Sequence, residues 1–306
     1  MTRVTSSRSI TKLVSKITKI SSLMTDSHPK IIFFGNGPLA DFSLKTLSPH
    51  FNIIFHAKTK ADLTTVKSLK IAQPETFGIL ASFGALIKPD LLEIFAPTGI
   101  INLHPSNLPA YRGPSPIETA ILNGDQTFSI SIMQLAKELD AGPVYYQTTL
   151  KSSDFSQPFP EKSEIYQKLA ETGANWLVQN LSHLPQPTPQ NHQNATFTRK
   201  FTPADSPLLP AEKTAQTILN QIRAFQNFPK SRYQFFGIDC IILKAHLATP
   251  AEIAQISSQS PKNHILHSRK LLALFCAANS YLVIDQLQPA GKKPMAAPAF
   301  LNGYAK

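Results

Sequence analysis

From Lys30 onward the chain is built of short apolar runs separated by stretches with helical spacing. Ile31-Ile32-Phe33-Phe34 is apolar at every position, as a parallel strand covered on both faces requires. The turn Gly35-Asn36-Gly37-Pro38 follows, then a helical stretch through Leu47. Further runs at Ile53 to Phe55, Phe77 to Ala81 and Gly99 to Leu103 predict strands, with helical segments between some of them. Phe128 to Gln134 and Pro143 to Leu150 add two more, and Lys162 to Leu181 reads as a long amphipathic helix. Such alternation predicts a doubly wound α/β domain over residues 29–182.

The pattern then breaks. Pro185-Gln186-Pro187-Thr188-Pro189 and the polar residues after it read as a linker, 183–204, whose prolines favour an extended, semi-rigid spacer. Beyond it Ala211 to Phe225 has helical spacing. Short β-type runs follow at Arg232 to Phe236, Asp239 to Leu243, Leu271 to Phe275 and Tyr281 to Leu287, with a turn at Asn279-Ser280. Several strands of this length predict a small β-barrel over 205–306. Residues 1–28 stand apart: Arg3, Arg8, Lys12, Lys16 and Lys19 alternate with Ser, Thr and Ile, and no acidic residue precedes Asp26. That composition fits a transit peptide, a disordered basic arm, or a start codon placed upstream of the true one at Met24. An arm outside the fold is the favoured reading.

Composition refines this picture at a few points. A hydrophobic fraction of 42% in 306 residues sustains one large core or two ordinary ones. Thirty Lys and Arg against 19 Asp and Glu give a net charge of +11, which favours an anionic partner met at many phosphates, although a basic proteome would leave the same imprint. Cys240 and Cys276 sit in short apolar stretches and read as buried reduced thiols. No apolar run approaches the roughly 18 residues of a membrane helix.

The densest chemistry lies between Gly99 and Gly113. Asn102 and His104 are two residues apart at the end of a predicted strand, so both side chains leave the same face. In open α/β sheets ligands sit at the carboxyl ends of strands. An amide donor beside an imidazole suits acyl transfer: the amide can stabilise an oxyanion, and the imidazole can assist it or accept a proton from an attacking amine. Taken alone, Asn-x-His is more often a polar strand end capping a turn. Asp140, in the turn Glu138-Leu139-Asp140-Ala141-Gly142, would orient the imidazole and favour its charged form if the chain brings it near. Gly35-x-Gly37 lacks the third glycine of a dinucleotide fingerprint, and the eight histidines besides His104 show no metal-ligand spacing, so neither a nicotinamide nor a metal is expected.

Asn102-Leu103-His104-Pro105-Ser106-Asn107-Leu108-Pro109, Arg112-Gly113 and Leu139-Asp140-Ala141-Gly142 together resemble the signature of the folate-dependent formyltransferase family. The resemblance implies a Rossmann-like catalytic domain followed by an OB-like barrel. It also implies catalytic roles for Asn102, His104 and Asp140, and folate binding by Ser106, Asn107, Leu108 and Pro109 with Phe83, Gly84 and Leu86. Ile222-Arg223-Ala224-Phe225 with Phe228-Pro229, and Gln288-Pro289-Ala290-Gly291-Lys292-Lys293-Pro294-Met295, resemble the second domain of the family's methionyl-tRNA branch. The implied donor is 10-formyltetrahydrofolate, without a metal, and the implied acceptor is methionyl-tRNA. Its phosphates would meet Arg112, Arg223, Lys230, Arg232, Lys292 and Lys293. A monomer in the bacterial cytoplasm is expected, or a mitochondrial or plastid protein if residues 1–28 are a transit peptide.

Departures from the pattern bear on the acceptor. The family's long basic loop after the second strand is reduced here to His56-Ala57-Lys58-Thr59-Lys60. Asn107 stands where the family has leucine, Phe228 where it has tryptophan, and Glu138 where it has glycine. Two alternatives follow. A sugar-nucleotide N-formyltransferase would use the same donor and triad, whereas a non-catalytic RNA-binding protein would leave the triad without a role.

Overall fold

The computed structural model describes residues 28–156 and 160–305. The basic extension expected over 1–28 therefore lies outside the described residues, His28 excepted. The N-terminal sheet contains β1 (Lys30–Gly35), β2 (Asn52–Ala57), β3 (Phe77–Ala81), β4 (Ile100–His104), β5 (Phe128–Gln134) and β6 (Val144–Leu150), in the spatial order β2-β1-β3-β4-β5-β6. The first four run parallel, while β5 and β6 are antiparallel to their neighbours.

Side-chain alternation along these strands feeds two cores, one on each face. Ile31, Phe33, Ile79, Ile101 and Leu103 meet α1 (Pro38–Leu47), α4 (Pro116–Asn123) and the long α5 (Lys162–Asn180). Ile32, Phe34, Leu80 and Ile100 meet α2 (Leu63–Ala72) and α3 (Pro89–Ile94) on the other. The doubly wound expectation holds. Because β1 pairs with β2 on one side and β3 on the other, the strand order reverses there, and the carboxyl ends of β1, β3 and β4 open onto one crevice.

The second domain opens with α6 (Ala215–Ala224), four residues later than the spacing suggested, because the Thr214 side chain caps it by accepting from the Thr217 amide. Then come β7 (Ser231–Phe235), β8 (Ile238–Leu247), α7 (Pro250–Ile256), β9 (Ile265–His267), β10 (Leu272–Cys276), β11 (Ser280–Pro289), β12 (Met295–Ala296) and α8 (Ala297–Tyr304). They form an antiparallel sheet ordered β7-β8-β11-β10-β9, with β12 on β11. The Tyr233 hydroxyl on β7 reaches the Asn263 carbonyl at 2.7 Å, drawing the two edges of this curled half-barrel together. Phe235, Ile242, Leu274, Leu287 and Phe300 fill its core beneath α6.

The proline-rich segment 183–204 does not hang free between the domains. Polyproline-like backbone makes no internal hydrogen bonds, so its amides and carbonyls are open to a sheet edge. Thr188 exchanges two 2.8 Å hydrogen bonds with Val144 on the outer strand β6, and Phe197 bridges to Arg112. The expected spacer is therefore also an edge cover. One of its side chains reaches the site.

Candidate active site

Asn102 and His104 continue the face on which Ile100 enters the second core, but they lie at the carboxyl end of β4 where the helices give way to the crevice. Both are buried, at 5% and 4% exposure. The Asn102 amide makes no hydrogen bond to any described residue. It is not among the side-chain polar atoms sealed from solvent without a partner, so its unpartnered donor stays accessible, as the donor to an oxyanion must be.

His104 faces acceptors at both ring nitrogens. Nε2 lies 3.1 Å from the Tyr111 carbonyl and Nδ1 lies 3.7 Å from Asp140 Oδ2. A carbonyl only accepts, so Nε2 carries a proton in this state. Asp140, far from β4 in sequence, reaches the site because its turn adopts a left-handed backbone, φ 48°. Its Oδ2 accepts from the Gly113 amide at 2.8 Å. Gly113 itself, at φ 114°, is pressed so close to Thr198 that a Cβ would sit 2.8 Å from its hydroxyl oxygen. Gly142 is more tightly held, since a Cβ there would lie 1.9 Å from the Gln134 carbonyl.

The loop after β4 is fixed by residues the sequence did not single out. Ser131, opposite His104 in register, donates to the Ser106 carbonyl at 2.6 Å and accepts from the Leu108 amide at 3.2 Å. Gln147 on β6 donates to the Leu108 carbonyl and to Ser131 Oγ at 2.7 and 2.8 Å. The only sequence signal was serine alternating with buried isoleucine along β5. Across the crevice Phe83 packs edge-on against Phe34 at 5.7 Å, Gly84 has nothing within 4 Å of a Cβ position, and Leu86 is 77% exposed. Of the residues expected at the donor, Ser106 and Leu108 are buried, with the Ser106 hydroxyl donating to the Ala110 carbonyl at 2.7 Å, Pro109 is half-buried and Asn107 points to solvent, while Gly84 and Leu86 line an open cavity beside Lys58, Lys60 and Lys88.

The six cations expected at phosphates do not converge. Arg112 corrects that expectation most clearly: it is 4% exposed, and its guanidinium is held by Gln190 and His192 below the site. Arg223 also leaves the open surface, donating to the Pro160 carbonyl at 3.0 Å where the domains meet. Arg232 is exposed but ion-paired with Asp239. Lys292 and Lys293 stand exposed in the turn after β11, and half-buried Lys230 precedes β7. Among the described residues no group of three His, Cys, Asp or Glu side chains is placed to hold a metal ion, and no helix is long and apolar enough to cross a membrane.

An amide donor, an imidazole and a carboxylate gathered at the carboxyl end of a doubly wound sheet, with a half-barrel appended, define an acyl-type group-transfer enzyme. Residues 19–181 match the formyl transferase family, and residues 206–305 match the formyl transferase C-terminal domain. The methionyl-tRNA formyltransferase of Roseiflexus castenholzii is 30% identical over 250 residues, covering 80% of this chain and 76% of that protein. The chain belongs to the formyl transferase family. Its fold is shared with HypX from Aquifex aeolicus, solved in complex with tetrahydrofolic acid (TM-score 0.69, 15% identity), which covers 92% of this chain; the chain spans 48% of HypX, about half its length. The methionyl-tRNA formyltransferase from Clostridium thermocellum has the same fold, with a TM-score of 0.55 at 17% identity over 72% of this chain and 94% of that one.

Proposed function

We propose that this chain transfers the formyl group of 10-formyltetrahydrofolate to the α-amine of methionyl-tRNA, using Asn102, His104 and Asp140. The unpartnered Asn102 amide, on a strand end only 5% exposed and on the same β4 face as His104, which pairs with Asp140, carries this reading. When bound, the folate supplies an activated formyl carbon on a nitrogen leaving group. The neutral amine adds to that carbon, the carbon–folate nitrogen bond breaks, and the amine's proton passes to the departing nitrogen. Asn102 donates to the formyl oxygen as charge builds on it. His104 relays the proton, and Asp140 holds the imidazole and balances its charge while it is protonated. Residues 106–109 with Phe83, Gly84 and Leu86 position the donor.

The acceptor side rests on the second domain and on the short β2–α2 connection. There Lys58, Lys60 and Lys88 line a cavity of about 430 Å³ together with Gly84 and Leu86. None of their three ammonium groups is in an ion pair or hydrogen bond with a described residue, so they are free to meet phosphate near the donor segment. Because that connection is short, an amino-sugar nucleotide is the competing acceptor. Initial rates with one folate donor and either charged initiator tRNA or amino-sugar nucleotides separate the two. Methionyl-tRNA is expected to be formylated at least about 10²-fold faster per kcat/KM; the reverse preference would overturn the assignment.

A further inference from the structure

Gln190 sits on the proline-rich segment, 8% exposed, and all four hydrogen-bonding positions of its amide are used. Oε1 accepts from Arg112 Nε at 3.1 Å and from Nη2 at 2.6 Å. Nε2 donates to the main-chain carbonyls of Asp140 at 2.8 Å and Gly142 at 2.7 Å. Only this orientation works. Flipped, the NH₂ would face guanidinium donors and the oxygen would face two carbonyls.

The two carbonyls converge on one amide because Asp140 is left-handed and Gly142 is wedged against Gln134. Without Gln190 both would be buried acceptors with no donor. The other half of the clamp is Arg112, which precedes Gly113, whose amide holds the Asp140 carboxylate at 2.8 Å. A planar guanidinium can place two N–H groups on one oxygen, which a lysine cannot. His192 Nδ1, 3.2 Å from Arg112 Nη2, completes its surroundings. Main chain and side chain of Asp140 are thus gripped from opposite sides by one connected network.

We propose that Gln190, supported by Arg112, is a positioning residue that sets Asp140 against His104. Gln190 makes no hydrogen bond to His104 or Asn102, so its influence runs through Asp140. The inference rests on the reading of Asp140 as part of the reacting triad, and it gives Arg112 and the interdomain segment a task inside the catalytic domain.

The test uses the full chain with Gln190→Met, which keeps the length and removes every hydrogen bond, and Gln190→Glu, which keeps the acceptor for Arg112 but loses both donors. Each is assayed alone and combined with Asp140→Asn. Either folded variant is expected to lower kcat on the order of 10- to 10²-fold, as small misplacements of catalytic groups do, with both KM values within about twofold. In the Asp140→Asn background the further loss is expected to be less than about twofold, since groups acting as one unit are not additive. A purely structural role would lower the melting temperature and the active fraction, leave kcat per folded site unchanged, and multiply with Asp140→Asn. That result, or wild-type kcat in both variants beside an impaired Asp140→Asn, overturns the clamp alone. Wild-type turnover by Asp140→Asn itself overturns the triad reading, and with it the route assigned to Gln190.

Discussion

At Ser131 one hydroxyl serves a carbonyl and two N–H donors, and so ties β5 and β6 to the loop that faces the donor. Ser131→Ala strands the Leu108 amide and the Ser106 carbonyl, a loss of about 1–3 kcal/mol for a buried unpaired group. The expected consequence is a raised KM for the folate donor with kcat nearly unchanged, read from steady-state kinetics; an unchanged KM would separate this hydroxyl from donor binding. Burial pushes the thiol of Cys240 up to about 11 and that of Cys276 to about 12, so both stay protonated at neutral pH. Neither should be alkylated in the native protein, and mass spectrometry after iodoacetamide treatment checks this. Asn102 and His104 were legible from sequence because strand periodicity alone puts them on one face. Asp140 was legible only through the family's motif, since an aspartate in a turn is usually just a turn-former. Gln190 carried no signal at all: a glutamine among prolines gains its role only when the fold closes a turn over it.

At the level of elements, apolar runs located the central strands β1, β3 and β4, because strands buried on both faces cannot hide their composition, whereas the outer strand β6, half-exposed and partly polar, was read from its β-branched and aromatic residues. The second domain was less readable. Three-residue β9 is too short for any periodicity, and α7 announces itself by its cap, Thr249 with Glu252, rather than by an apolar stripe. That cap shares a histidine with the sheet. Burial opposes charge on His246, but hydrogen bonds to Asp285 and Glu252 outweigh it and raise its pKa above 6.5. A folded-state pKa raised in this way adds stability that is fully present below the unfolded value, near 6.5, and is lost as pH rises through the folded one. The melting-temperature difference between wild type and His246→Gln should therefore be largest below pH 6 and shrink as the pH rises above 6.5. A difference that grew with pH would have the wrong sign. Between the domains, buried Lys162 pairs with Glu118 at 3.3 Å and donates to the Ala224 carbonyl at 2.7 Å, where α6 ends. Lys162→Met removes one partner of a buried pair and should cost about 3–5 kcal/mol in urea unfolding. A loss under 1 kcal/mol would mean the pair contributes little to holding the domains.

For the whole molecule, a charge of +11 pointed to an anionic partner but said nothing of where it sits, because placement of charge is a property of the fold. Of the cations read from the sequence, the fold buries Arg112, leaves Arg223 half-buried with a hydrogen bond to the Pro160 carbonyl, and leaves Lys292 and Lys293 exposed in the turn after β11. Replacing both lysines by alanine should weaken binding of methionyl-tRNA and flatten its salt dependence by a log–log slope of roughly 0.7–0.9 per lost phosphate contact, leaving donor binding as it was. Backbone contacts position rather than specify, so initiator and elongator tRNA should lose affinity about equally. Wild-type binding at every salt concentration would place the grip elsewhere. The most direct measurement is transfer of a labelled formyl group from 10-formyltetrahydrofolate to initiator methionyl-tRNA by the wild type and by Asn102→Ala, His104→Ala and Asp140→Ala. The expected result is turnover by the wild type and a loss of at least about 10²-fold in each folded variant. No formylated methionyl-tRNA from the wild type, or near-normal turnover in all three variants, would contradict the assignment of both reaction and site.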